Sequence, residues 1–409
     1  MSKFDQHFCM TEPDAIEYIR EKMPEYFGDS PLTCKEIGDG NINYVFRIKA
    51  EDTGKSIIIK HADKFFRRSR SAKSIDNNAF EAKVLKIEAM YAPDQVPKIY
   101  FEDPVMACVV MQDIGDHENM RYAMIAHETF PTLAEDISTF MAETLINTSD
   151  LVMHPDQKKT WTKEFMNLPM CEISERLVLE EPFKNAKGSN RVFEPNREFL
   201  ERELYEDEKL HYEVAILKYY FQNKAQSLIH GDLHSGSIFV KPYSTMVLDP
   251  EFAFYGPAGY DVGNVIAHLV FAWANAEVTE PDAEKKEAFQ KWVEETIVKT
   301  VDLFYEKSMK IIDEKGKDVM FSTLGFPEWF LQDVMNDTAG FCGTEIIRRV
   351  IGSAKVKDIE CIEDPAARCR MEQISVLTAK DCILHAKEFH VGKAYVEAIH
   401  RAAEKAVQL

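Results

Sequence analysis

The period of the apolar residues changes once along this chain, and that change constrains the fold more than any other feature. From Leu32 to about Gln112 apolar residues fall in short β-rich runs: Leu32 to Ile37, Tyr44 to Ala50 and Ser56 to His61. They are separated by the turn compositions Gly38-Asp39-Gly40-Asn41 and Glu51 to Lys55. Such spacing predicts an antiparallel meander. One helix is expected over Asn77 to Ala92, a stretch without Pro or Gly, before strand character returns at Val96 to Phe101 and Met106 to Met111. Beyond Asp113-Ile114-Gly115-Asp116 the pattern turns helical, at Leu133 to Asn147, Glu208 to Lys224, Val262 to Ala276, Lys285 to Lys310 and Trp329 to Ile351. Two short strands, Ser237 to Val240 and Thr245 to Leu248, interrupt the helices as a hairpin. The implied architecture is α+β: a small antiparallel-sheet lobe with one helix over residues 1–112 and a larger, mainly helical lobe over residues 113–409. Any ligand is expected in the cleft between them.

Length and charge agree with two lobes and narrow the partners. At 409 residues the chain exceeds one compact unit of about 100 to 200 residues. Its 69 acidic against 49 basic side chains leave a formal charge of −20, which repels nucleic acid and anionic membrane, so a phosphate site has to be a local exception. Met1 to Glu12 lacks the basic start and apolar run of a signal peptide, and the longest apolar stretch, Val262 to Ala276, is broken by Asn264 and His268. A cytoplasmic protein is expected. The 8 cysteines are scattered singly with no Cys-x-x-Cys, which argues against a zinc site or a disulfide framework.

The most polar constellation lies around the hairpin. Leu228-Ile229-His230-Gly231-Asp232-Leu233-His234 sets ionisable groups just after an apolar strand, with Gly231 letting the backbone turn. After the second apolar strand, Val247-Leu248-Asp249-Pro250-Glu251 presents two carboxylates, with Pro250 fixing the backbone between them. Magnesium takes oxygen ligands, commonly one or two protein carboxylates with phosphate and water completing the octahedron, so this pair is a candidate metal site. Singly, His230 reads as a turn histidine and an Asp after a strand as a helix cap. The order points to one chemistry: His-Gly-Asp, a hairpin, Asp-x-Glu, and far upstream a glycine-containing turn and Lys60 at the end of Ile57-Ile58-Ile59.

In those motifs the chain resembles the protein-kinase-like small-molecule kinases, and within them the family of 5-methylthioribose kinases. The resemblance is carried by Leu32 to Phe46, Ile229 to Val240, Asp249 to Asp261 and Glu345-Ile346-Ile347-Arg348-Arg349-Val350-Ile351-Gly352. It implies the two-lobe protein-kinase-like fold, ATP and magnesium as cofactors, phosphorylation of the 1-hydroxyl of 5-methylthioribose in methionine salvage, and a homodimer. By the same resemblance Asp232 is the catalytic residue that accepts or orients the proton of the substrate hydroxyl. Gly38, Gly40 and Asn43 match the loop over the nucleotide, and Lys60 matches the lysine on the α- and β-phosphates, with Glu81 as its ion-pair partner. Met111, Gln112 and Asp113 match the connection whose backbone meets adenine. Asp249, Pro250 and Glu251 match the remainder of the nucleotide site, Asp249 and Glu251 holding the metal. Arg348 and Arg349 match contacts to substrate and transferred phosphate.

One departure stands out. Protein kinases carry Asn five residues after the catalytic Asp, where a second magnesium is held; here Ser237 stands there, and Glu251 is expected to supply the missing oxygen. Without the resemblance, Gly38 to Asn41 is a hairpin turn, Lys60 an edge-strand charge, and Arg348-Arg349 a salt-bridged helix face. Lys64 to Arg70 reads as a solvated basic loop. The rival functions are a choline-, aminoglycoside- or homoserine-type kinase and a catalytically inactive nucleotide-binding protein of the same fold. Adjacent arginines suit a neutral sugar with an anionic product better than a cationic acceptor.

Overall fold

The structure, a computed structural model, describes residues 2–37, 43–62 and 76–406. Five strands, β1 Leu32–Glu36, β2 Asn43–Ala50, β3 Ser56–Ala62, β4 Ile99–Asp103 and β5 Cys108–Gln112, form an antiparallel sheet in the order β1-β2-β3-β5-β4. Alternation along β2 and β3 sends Phe46, Ile48, Ile57 and Ile59 to one face, where they pack with Phe4, Met10, Tyr18 and Val110. That core holds a helix not anticipated above, Glu12–Lys22. Thr11 starts it with a capping box to Asp14, and Tyr18, fully buried, donates its hydroxyl to Asp103 Oδ2 at 2.7 Å. The expected helix spans Asp76–Tyr91.

β4 and β5 both begin later than expected. Pro97 has no N–H to give to a ladder, so the sheet takes up the chain only at Ile99. The Asp103 carboxylate accepts the N–H groups of Val105 at 2.9 Å and Met106 at 3.1 Å, which turns the chain where the next strand was expected to open.

The chain divides into two compact units, Met1–Asp116 with Leu248–Glu251, and His117–Val247 with Phe252–Leu409. In the second, helices Leu133–Asn147, Glu208–Asn223, Gly259–Thr279, Ala283–Lys315 and Phe326–Ile351 occupy the expected segments. Pro365–Leu384 and Gly392–Ala406 are additional. Asp364 caps the former by accepting the N–H of Ala367 at 2.7 Å. Gly259 and Gly263 form a seam. A Cβ at Gly259 would lie 2.5 Å from Thr338 N, and one at Gly263 2.6 Å from Cys342 N, so Gly259–Thr279 and Phe326–Ile351 meet backbone to backbone.

The remaining strands are short: β6 Glu118–Asn119, β7 Ser227–Ile229, β8 Ile238–Lys241, β9 Ser244–Val247 and β10 Phe254–Gly256. They pair as β6-β8-β9 and β10-β7, so that residues 230–237 leave one small sheet and enter the other. No helix among the described residues is long and apolar enough to cross a membrane.

Candidate active site

β7 ends at Ile229 and the chain turns at once. Gly231 has φ of 80°, and a Cβ there would lie 2.2 Å from Phe252 O, so both the backbone and its neighbour require glycine. Gly231→Ala is expected to destabilise the fold by more than about 1 kcal/mol, read as a lower urea midpoint. The turn is anchored from the Gly259–Thr279 helix: Asp261 accepts the N–H of His230 at 2.6 Å and of Gly231 at 2.9 Å. Burial pushes the Asp261 carboxyl up to about 7 against those two hydrogen bonds.

Asp232 follows, its two carboxylate oxygens facing different partners. Oδ2 lies 3.2 Å from His234 Nε2; Oδ1 lies 3.4 Å from Arg348 Nη2 and 3.7 Å from Arg349 Nη2. Burial opposes ionisation, but the hydrogen bond from His234 and the two guanidinium groups outweigh it and hold the carboxyl well below its ordinary range. The arginines are themselves held by Glu345, one turn earlier on their helix. Arg348 Nε donates to Glu345 Oε2 and Arg349 Nε to Oε1, the latter at 2.8 Å. His268 Nε2 also lies 3.2 Å from Oε1, and its Nδ1 2.8 Å from Ser235 Oγ, which ties the arginine helix back to the loop that carries Asp232.

Asp232, His234, Arg348 and Arg349 line a cavity of about 200 Å³ whose lining is part charged and part apolar. Asp232, Arg348 and Arg349 supply the charged lining with His234 beside them; Ile173, Leu177, Val178 and Phe252 supply the apolar lining. The sequence reading paired Asp232 with the two arginines, and the structure brings them together. Glu345 stands in the run that carries the resemblance but without an assigned role; its spacing of three and four residues before the arginines is the signal for one. His268 was seen only as an interruption of an apolar stretch. Helix Leu168–Leu179, source of most of the apolar wall, was not anticipated.

In the first unit Lys60 Nζ lies 2.6 Å from both Glu81 Oε1 and Asp249 Oδ1. Burial would lower this ammonium, but Asp249 and Glu81 outweigh it and hold it protonated. Asp249 has φ of 65°, an uncommon conformation for a non-glycine residue and one found disproportionately at functional sites. Among the described residues no group of three or more His, Cys, Asp or Glu side chains is placed to hold a metal. Asp249 and Glu251 supply two carboxylates, the number magnesium takes from a protein when phosphate and water complete its shell. Pro250 is buried between them.

Ser237 is buried, its N–H donating to His234 O at 2.9 Å. Met111 pairs with Ile58 and Ile99, and the Gln112 N–H donates to Lys98 O at 2.8 Å. Asp113 takes Arg47, its Oδ2 lying 2.8 Å from Nε. Asn43 opens β2 opposite Ala62. Gly38, Gly40 and the basic run Lys64 to Arg70 lie outside the described residues.

The phosphotransferase enzyme family (APH) matches residues 33–296. A methylthioribose kinase from Geobacillus sp. strain WCH70 is 36% identical over 377 residues, 92% of this chain and 91% of its own. This chain belongs to the methylthioribose kinase family. Another member, from Bacillus cereus strain G9842, is 36% identical over 380 residues, and one from Escherichia coli O45:K1 is 35% identical over 368. Among solved structures, a choline kinase from Cryptosporidium parvum Iowa II aligns over 96% of each chain at 13% identity, with a TM-score of 0.48. Membership makes the chain a kinase, with ATP as donor and a divalent cation typical of the family. Its small antiparallel-sheet unit and larger helical unit are the α+β kinase-like fold expected above.

Proposed function

We propose that this chain transfers the γ-phosphoryl group of ATP to the 1-hydroxyl of 5-methylthioribose, giving 5-methylthioribose 1-phosphate for methionine salvage. The observation that carries this reading is the mixed lining of the cavity, part charged and part apolar. A methylthio-sugar has one apolar end and one ring of hydroxyls, and Ile173, Leu177 and Val178 face the first while Asp232, Arg348 and Arg349 face the second. Choline and aminoglycosides are cations and would meet two buried guanidinium groups.

In the reaction the C1 hydroxyl oxygen bonds to the γ-phosphorus, the bond to the β,γ-bridging oxygen breaks, and ADP leaves. Asp232 Oδ1 accepts the hydroxyl hydrogen bond, aims the oxygen and receives its proton as the bond forms. The terminal N–H groups of Arg348 and Arg349 balance charge gathering on the transferred group. Lys60, held by Glu81, meets the α- and β-phosphates; Gly38, Gly40 and Asn43 cover the phosphates, and Met111, Gln112 and Asp113 border adenine. Asp249 and Glu251 would hold magnesium, which would offset phosphate charge there. A cytoplasmic location and a homodimer belong to the same reading.

Purified protein given ATP, magnesium and methylthioribose is expected to form ADP and sugar phosphate in equal amounts, with choline, homoserine and kanamycin inert. ADP formation with one of those acceptors and none with methylthioribose would overturn the assignment.

A further inference from the structure

His234 sits among contacts that fix where its proton lies. Its Nδ1 accepts the N–H of Gly236 at 2.9 Å and faces Arg121 Nη2 at 3.4 Å, and both neighbours are donors only. A proton on Nδ1 would point at two other N–H groups. It belongs on Nε2 instead, facing Asp232 Oδ2 at 3.2 Å. Burial, Arg349 and Arg121 all disfavour a second proton and Asp232 alone favours it, with the result that the ring is held below its ordinary range. From the Gly259–Thr279 helix the His268 ring packs at 5.4 Å between centroids, itself pushed down to about 3 by burial.

Two further details show how closely the ring is held. Arg121 Nε has no hydrogen-bond partner among the described residues, so this guanidinium is held beside the ring without using its full donor set. A Cβ at Gly236 would lie 2.6 Å from His234 Cε1 and 2.7 Å from Arg121 Nη2, so any larger residue there would displace the ring or the guanidinium. Burial and the neighbouring Arg349 lower the Arg121 guanidinium, and the buried Asp358 carboxyl and Asp232 oppose that shift.

We infer that His234, locked by Gly236 and Arg121 as the Nε2–H tautomer, is a positioning residue: it gives Asp232 Oδ2 a standing hydrogen bond and leaves Oδ1 for the substrate hydroxyl. The inference rests on the role given to Asp232 above. It makes Arg121 and Gly236 parts of the catalytic apparatus although neither lines the cavity.

The test has a spectroscopic arm and a kinetic arm. In protein labelled with ¹⁵N-histidine and free of ligands, the signal lost in His234→Gln is expected to report a bare Nδ1 and a protonated Nε2 from about pH 5.5 to about pH 8. His234→Gln, which keeps a donor near the Nε2 position, should hold kcat within about fivefold. His234→Leu should lower it about 10²-fold with the sugar KM nearly unchanged, as expected for a misplaced reacting group. Removing a cation raises the ring's affinity for a second proton, so any loss of kcat on the acid side should set in at higher pH in Arg121→Met than in the parent. A protonated Nδ1 in the parent spectrum, or equal losses in the Gln and Leu variants, would overturn the inference. The spectrum needs no substrate, so a failure of methylthioribose as acceptor would be told apart from a failure of the tautomer assignment.

Discussion

Glu345→Leu is expected to destabilise the protein by about 3–5 kcal/mol and to abolish measurable turnover. Glu345 is fully buried and its carboxylate is the shared anchor of two guanidinium groups that are themselves only 12% and 9% exposed. Burial works to raise this carboxyl, but Arg348 and Arg349 outweigh it and hold it well below its ordinary range. Stability from such a group is present above its unfolded value of about 4.3 and is lost as pH falls toward the depressed folded value. Leucine fills the space but leaves two cations facing each other without water. Glu345→Gln keeps an acceptor without the charge and should fall between leucine and the parent. Urea unfolding reads the stability; an unchanged midpoint in the leucine variant would mean the arginines had found other partners.

Asp232→Ala should separate chemistry from stability. We expect kcat to fall at least about 10²-fold, the lower range for a group that handles the reacting proton. The fold should persist, because Glu345 still pairs both arginines and Asp261 still anchors the turn. Product formation under saturating ATP and sugar reads the rate, and the urea midpoint should shift by less than about 1 kcal/mol. A variant that kept more than a tenth of the parental kcat would remove Asp232 from the role assigned to it.

What could be read from the sequence depended on how local each feature is. His230-Gly231-Asp232 is contiguous, and its turn, anchor and neighbours follow within a few residues, so motif order was enough to find it. The alternation of Phe46 and Ile48 against Ile57 and Ile59 likewise made the meander legible. The Glu345–His268 contact joins residues 77 apart, and only the packing of two helices creates it. Ile173, Leu177 and Val178 have the spacing of any amphipathic helix, so nothing in the text separated a substrate wall from ordinary core. Pro365–Leu384 is buried on several sides, with Met371, Ile374, Val376, Leu377, Cys382 and Ile383 all covered, which erases the one-faced pattern that marks a surface helix.

The glycine seam between Gly259–Thr279 and Phe326–Ile351 binds the elements behind the charged lining of the cavity to one another. Glu345, Arg348, Arg349, His268 and Asp261 all ride on the two helices that touch backbone to backbone there, so a side chain at Gly259 or Gly263 would meet the facing backbone and force the two helices apart. Ile173 and Leu177 stand on a helix outside that seam and are only half-buried. Single substitutions at Ile173 or Leu177 are therefore expected to reshape the apolar lining while leaving the Glu345, Arg348 and Arg349 network in place.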